Sequence, residues 1–311
     1  MERFTNSAFA DSTKKTYRVH RNSYLRFCNR LGYVAVPATS KTLCRYAAFL
    51  AKSLKYNSVK QYLNFVRILH AEWDLPNPLE NNFPLSCTLR GIRRNLGDAV
   101  MRKKPISPDL LKCILSQLNL DCSLDATVWA VNLCMFFGLL RKSNVMPDKF
   151  MPDKHLRRCD VNFHQWGVAL LLRWSKVNQF QGRNLTIPFA RMKGNSLCPV
   201  LAIFNSFQLT ANASPDGPAF LFKTNGQLKP MTSDVFLRRV RTCLSQAGIC
   251  PDNISNHSYR RGGATFCYAI GLSAESIKML GDWKSNCYQR YIDNDFETRL
   301  KLVSQMQAAV L

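Results

Sequence analysis

Acidic residues are scarce: 20 Asp and Glu stand against 43 Lys and Arg in 311 residues, a formal net charge of +23. No run of residues approaches the roughly 18 consecutive apolar positions of a membrane span. The longest, Val128 to Leu140, is short and interrupted by Asn132. The start, Met1-Glu2-Arg3-Phe4, lacks the apolar core of a secretory signal, so export is not expected. No two of the 12 cysteines are spaced C-x-x-C. Their scatter argues against a metal finger and against the disulfide framework of a small secreted domain. Reduced, mostly buried thiols are the expectation, which places the chain in the cytosol or the nucleus.

What is present is a folded chain with a polyanion for a partner. Apolar residues make up 46% and aromatics 11%, enough for real cores, so a disordered basic tail is excluded as the main content. The length suggests two domains or one large one. Positive charge is spread over both halves: residues 1–100 hold 16 Lys and Arg against 6 Asp and Glu, and the remainder 27 against 14. A membrane-surface protein would concentrate such charge on one helix or polybasic run, whereas a protein surrounding nucleic acid would spread it. Nucleic acid is therefore the favoured partner, with no membrane.

Residues 1–100 read as a small helical domain. Tyr17, Tyr24, Phe27, Cys28 and Leu31 recur at helical spacing after Ser12, before Gly32 stops the run. Ser40 and Ser58 open two further helices, and a fourth lies within Ser86 to Leu96. The aromatic stripe reads as core rather than as a base-stacking surface. Residues 101–106 (Met-Arg-Lys-Lys-Pro-Ile) read as a linker, and Ser107-Pro108-Asp109 starts a helix. A buried helix follows near Thr127 to Leu139. The β-rich run Gly167 to Trp174, the polar turn Ser175 to Gly182 and the run Asn184 to Phe189 form a hairpin. From Cys198 onward the signals are helical, interrupted by a loop at Ala211 to Pro218, and residues 296–311 form an amphipathic C-terminal helix. The fold class is mainly α with a small β-sheet.

Four segments carry chemistry. Gly138-Leu139-Leu140-Arg141-Lys142-Ser143 ends a greasy helix in a cation, and Trp174-Ser175-Lys176 puts a lysine at the hairpin turn. His257-Ser258-Tyr259-Arg260-Arg261-Gly262-Gly263-Ala264 sets His257 and Arg260 on one helix face. Leu280-Gly281-Asp282-Trp283-Lys284-Ser285 is followed by Tyr288-Gln289-Arg290-Tyr291-Ile292. Two arginines, a lysine, a histidine, a ring N–H donor and a late tyrosine are what metal-free phosphoryl transfer requires. No acidic cluster of two-metal character appears, and neither a cofactor nor a metal is expected.

In order and content these segments resemble the tyrosine recombinases, the phage-integrase-like family. Their wording is most similar to eukaryotic mobile-element recombinases of the DIRS/Ngaro and Crypton type. The resemblance covers roughly residues 105–295. It implies a helical core-binding domain over 1–100 and a mixed α/β catalytic domain over 107–311. It also implies DNA cleavage and rejoining through a 3′-phosphotyrosyl intermediate. Arg141 and Arg260 would clamp the phosphate oxygens, Lys176 would protonate the departing 5′ oxygen, and His257 would assist proton transfer or hold the phosphate. Trp283 would donate its indole N–H or support the site, and Tyr291 would be the nucleophile.

Some positions stay open in the sequence. Tyr288 competes with Tyr291 for the nucleophile's role. Many family members carry a His or Trp nine residues before the nucleophile; here that residue is Asp282, and Trp283 stands one place later. Arg261 reads as a backbone-phosphate or salt-bridge residue. The resemblance further implies a dimer to tetramer on double-stranded DNA with exchange of the C-terminal helix, and a nuclear location in a eukaryotic host. A type IB topoisomerase and a domesticated, non-catalytic DNA-binding protein are the competing readings.

Overall fold

The computed structural model describes residues 8–97, 103–174, 184–290 and 292, together with 300, 303, 304 and 307. Lys176 with its turn, Tyr291, residues 98–102 and most of the 296–311 segment lie outside the described residues. The chain is mainly helical with two small antiparallel sheets. It divides into two compact units, Met1–Met101 and Arg102–Leu311.

The first unit is four helices: α1 (Asp11–Leu31), α2 (Ser40–Ala51), α3 (Tyr56–Ala71) and α4 (Phe83–Leu96). Their apolar stripes close on one core that includes Tyr24, Phe27, Leu43, Tyr46, Leu63, Val66 and Leu85. The aromatic stripe is thus interior. Its phenols are satisfied there, Tyr24 donating to the Ala35 carbonyl (2.9 Å) and Tyr46 to Ser23 Oγ (3.0 Å). Gly32 ends α1 in the left-handed conformation. The starts differ from the serines. Ser12, Ser40 and Ser58 lie within the first turns, and the caps are Ala10, Thr39 and Lys55. Helix α4 starts at Phe83, three residues before Ser86, because Asn82 accepts from Leu85 N–H (3.1 Å) and Pro84 presets the first turn.

In the second unit Ser107 caps α5 (Pro108–Leu115), accepting from Leu110 N–H (3.2 Å). Within the stretch read as a linker, Lys104 N–H donates to Asn253 O and Ile106 N–H to Ser258 O, so both belong to this unit. Helix α6 (Ser123–Phe137) is buried on every face, and each polar residue it brings inside is paired. Asp125 takes Nε and Nη2 of Arg239 at 2.7 Å each. Burial pushes the Asp125 carboxyl up, but the Arg239 hydrogen bonds, the Asn119 N–H and the Arg239 charge together outweigh it and hold it below the usual range. Thr127 meets Ser206 Oγ at 2.7 Å, and Asn132 donates to Val128 O (2.7 Å).

Short α7 (Lys142–Val145) follows, then a three-stranded sheet in order β1 (Val161–Phe163), β2 (Gly167–Leu172), β3 (Leu185–Ala190). The β2–β3 pair is the expected hairpin, with Leu170 opposite Ile187. Beyond it come α8 (Pro199–Leu209), β4 (Leu221–Thr224), β5 (Gln227–Pro230), α9 (Ser233–Gln246), α10 (Asn256–Ala269) and α11 (Ala274–Leu280). The β4–β5 hairpin corrects the all-helical reading after Cys198. Its turn is Asn225-Gly226, both at positive φ, the geometry that suits strand twist. No helix among the described residues is long and apolar enough to cross a membrane, and every described cysteine is a free thiol.

Candidate active site

The site forms where α6, α10 and α11 come together at their ends. Helix α6 stops in a cap of unusual sequence. Gly138 caps its C-terminus, and the left-handed position after it, normally glycine's, belongs to Leu139 (φ 47°). Leu139 N–H returns to Phe136 O (3.4 Å) and Leu140 N–H to Met135 O (3.2 Å). The chain then turns into Arg141, whose N–H donates to Asn144 Oδ1 while Asn144 N–H donates to Arg141 O, both at 2.9 Å. Arg141 is half-buried.

Helix α11 ends the same way. Gly281 is the cap, Asp282 takes the left-handed position (φ 50°), and Trp283 N–H closes the motif on Lys278 O at 3.0 Å. Glycine is required one place earlier than usual because the Trp283 ring lies against it. A Cβ on Gly281 would sit 1.9 Å from the indole Cζ3.

Arg260, in the second turn of α10, is buried to 3% exposure. Its Nη1 donates to the Leu139 carbonyl and its Nη2 to the Gly281 carbonyl. Its guanidinium carbon stands 4.0 Å from the Trp283 ring centroid. Arg141 and Arg260 line one small cleft with Leu139, Asn144, Gly281 and Asp282. Trp283 is instead in the apolar cluster behind it, with Leu139, Ala264, Ile277 and Tyr288, at 6% exposure.

Helix α10 approaches closely because of residues that the motif carries but the sequence reading left without a role. A Cβ on Gly263 would stand 2.3 Å from both Phe136 O and the Leu139 side chain, and one on Gly262 1.8 Å from Ile106 O. Tyr259 donates to Asn132 Oδ1 (2.5 Å), joining α10 to the middle of α6; burial pushes its phenol far above the ordinary range. Adjacent glycines inside a helix were the available signal for this contact, as was Asn132 inside an otherwise greasy run.

His257 stands exposed on the first turn of α10, one turn from Arg260, and is not among the cleft's lining residues. Arg261 is buried at 6% exposure. Tyr288 is buried at 5% with its ring centroid 6.2 Å from that of Trp283. Close to the sheet, buried Asp160 receives Arg157 and Arg173, the latter just beyond β2, and Arg157 also bonds Asp216 (2.7 Å). Among the described residues no group of three or more His, Cys, Asp or Glu gathers as a metal site.

Known proteins share this architecture. The chain is 24% identical over 295 residues to an integrase/recombinase xerD homolog of Selenomonas ruminantium, spanning 91% of this chain and 82% of that one. The integrase of transposon Tn1549, solved with transposon right-end DNA, superposes with a TM-score of 0.63 at 16% identity, over 97% of this chain and 96% of that one. A lambda integrase dimer on a core site gives 0.60 at 13%, over 95% and 93%. The chain shares the fold of these integrases. No family model matches it. In this chain the arginines of the first and second motifs line one cleft, and the third motif reaches it through Gly281 and Asp282.

Proposed function

We propose that the chain is a site-specific DNA recombinase that cuts and rejoins strands through a 3′-phosphotyrosyl bond. The observation that carries this reading is the meeting of Arg141 and Arg260 in one cleft. Attack on a phosphodiester builds negative charge on the non-bridging oxygens, and planar guanidinium groups neutralise it bidentately without a metal ion.

Tyr291 is the nucleophile in this reading. Tyr288, its competitor, is buried in the apolar cluster behind the cleft, which supports the assignment. Tyrosine near pKa 10 is a weak nucleophile, so a cationic site is needed to stabilise the charge it creates. Lys176, in the stretch joining β2 to β3, protonates the leaving 5′ oxygen, and His257 assists from the start of α10. The duplex is held by basic surface on both units, in dimers to tetramers that exchange residues 296–311. A lambda integrase solved as a tetramer on a Holliday junction, of similar fold, supports such an assembly. The motif wording favours a eukaryotic mobile element and hence the nucleus.

A suicide DNA substrate tests the reading. Wild type is expected to yield a denaturant-resistant adduct, lost in Tyr291→Phe with DNA binding intact and kept in Tyr288→Phe. An adduct that survives Tyr291→Phe and vanishes in Tyr288→Phe overturns the choice of nucleophile.

A further inference from the structure

We propose that Trp283 is a positioning residue that acts through Arg260, while the place beside the reacting phosphate that its motif supplies belongs to Asp282. The inference rests on the recombinase reading and concerns how the third motif contributes to it. Three observations converge. Asp282, not Trp283, lines the cleft with both arginines. Trp283 is buried in the cluster behind the cleft and turns its ring face to the Arg260 guanidinium at 4.0 Å. The turn between them is built for that contact, since only glycine at 281 leaves room for the indole and Asp282 accepts a left-handed backbone to bring it round.

A guanidinium buried at 3% exposure needs compensation for the water it has lost. Two backbone carbonyls satisfy hydrogens in its plane, and the negative face of an indole is the complementary partner above that plane. With its plane held on one side by Trp283, the guanidinium keeps one orientation where it lines the cleft. The ring thus sets the aim of a charge that acts on the phosphate.

Asp282 changes the electrostatics of the same cleft. An acidic residue lining a cleft with two arginines lowers the cleft's net positive charge and leaves the phosphate dependent on precise aim rather than on excess charge. That dependence makes the Trp283 contact matter to rate.

The test compares adduct formation at saturating DNA by wild type, Trp283→Phe and Trp283→Leu on two suicide substrates. One carries an ordinary scissile phosphodiester and the other a methylphosphonate, which has no anionic non-bridging oxygen and so makes little demand on Arg260. Phenylalanine keeps an aromatic face without an N–H; leucine keeps only bulk. On the phosphodiester, Trp283→Leu is expected to slow the reaction roughly tenfold and Trp283→Phe no more than about threefold. On the methylphosphonate, both are expected to approach the wild-type rate.

If Trp283→Phe is as slow as Trp283→Leu on the phosphodiester, the indole N–H is what matters and the inference fails. If Trp283→Leu is equally slow on both substrates, the ring serves only stability and the inference again fails. Thermal melting of each variant identifies misfolded protein, and Trp283→Phe carries the test if Trp283→Leu does not fold. A wild type that forms no adduct on a verified target overturns the recombinase reading and takes this inference with it.

Discussion

Leu139 and Asp282 are a matched pair. Each follows a glycine at the end of a helix, each holds a left-handed backbone (φ 47° and 50°), and each lines the cleft that contains Arg141 and Arg260. Non-glycine residues adopt this conformation at a cost of roughly 1–2 kcal/mol. Arg260 joins the two turns, through the carbonyl of Leu139 and that of Gly281. The position of Arg141, two residues after Leu139, is thereby coupled to the turn that carries Asp282.

Arg260→Ala should therefore do more than remove a charge. It leaves two buried carbonyls without their donor and opens space against Trp283, for a loss of about 3 kcal/mol in stability. Chemical denaturation reads that loss, and the suicide-substrate assay should show no adduct. A variant as stable as wild type would mean the carbonyls find other donors and the bracing is dispensable.

Gly281→Ala should destabilise by about 1–3 kcal/mol, because the added methyl meets the Trp283 ring at 1.9 Å. Trp283→Leu in the same chain should recover part of the loss by vacating that space. Additive losses in the double variant, measured by denaturant midpoint, would show that the ring is not what excludes the methyl.

Asp282 separates backbone from side chain. Asp282→Gly should be tolerated or stabilised by up to about 1 kcal/mol, since relief of the left-handed strain outweighs the added chain entropy. Asp282→Val, β-branched, should cost about 1–2 kcal/mol at the same position. Thermal melting that ranks valine above glycine would contradict the turn geometry.

Asp160 makes stability depend on acid. Burial raises its carboxyl, but hydrogen bonds from Arg173 and Arg157 prevail and hold it below its ordinary value of 3.8. A lowered folded pKa adds stability that is complete well above 3.8 and is lost as pH falls below it. The denaturant midpoint should drop between pH 6 and pH 3, and by less in Asp160→Asn, whose neutral-pH stability is already reduced. Equal acid sensitivity in both proteins would assign the effect to Asp125 and the remaining carboxylates.

Helical periodicity marked both cores before any coordinates, because apolar spacing of three and four is a local property of the chain. Gly32 as a stop, Ser107 as a cap and the β2–β3 hairpin followed from the same short-range rules. The serines at 12, 40 and 58 misled because only one of these helices starts on a side-chain cap, Thr39 accepting from Thr42 N–H, while Ala10 and Lys55 open the others without one. Asn225-Gly226 was a legible turn signal that the helical pattern around it obscured.

The motifs by themselves nominated the candidates for the site: two arginines, a histidine, a lysine, a tryptophan and a late tyrosine in a fixed order. They did not determine how the inventory is assembled. Arg260 reaches carbonyls 121 and 21 residues away along the chain. Asp282 rather than Trp283 faces the cleft, and Arg261 beside Arg260 is buried away from solvent. Such choices depend on how three helix ends meet. Spacing along a sequence specifies which residues share a face, but only packing specifies what that face meets.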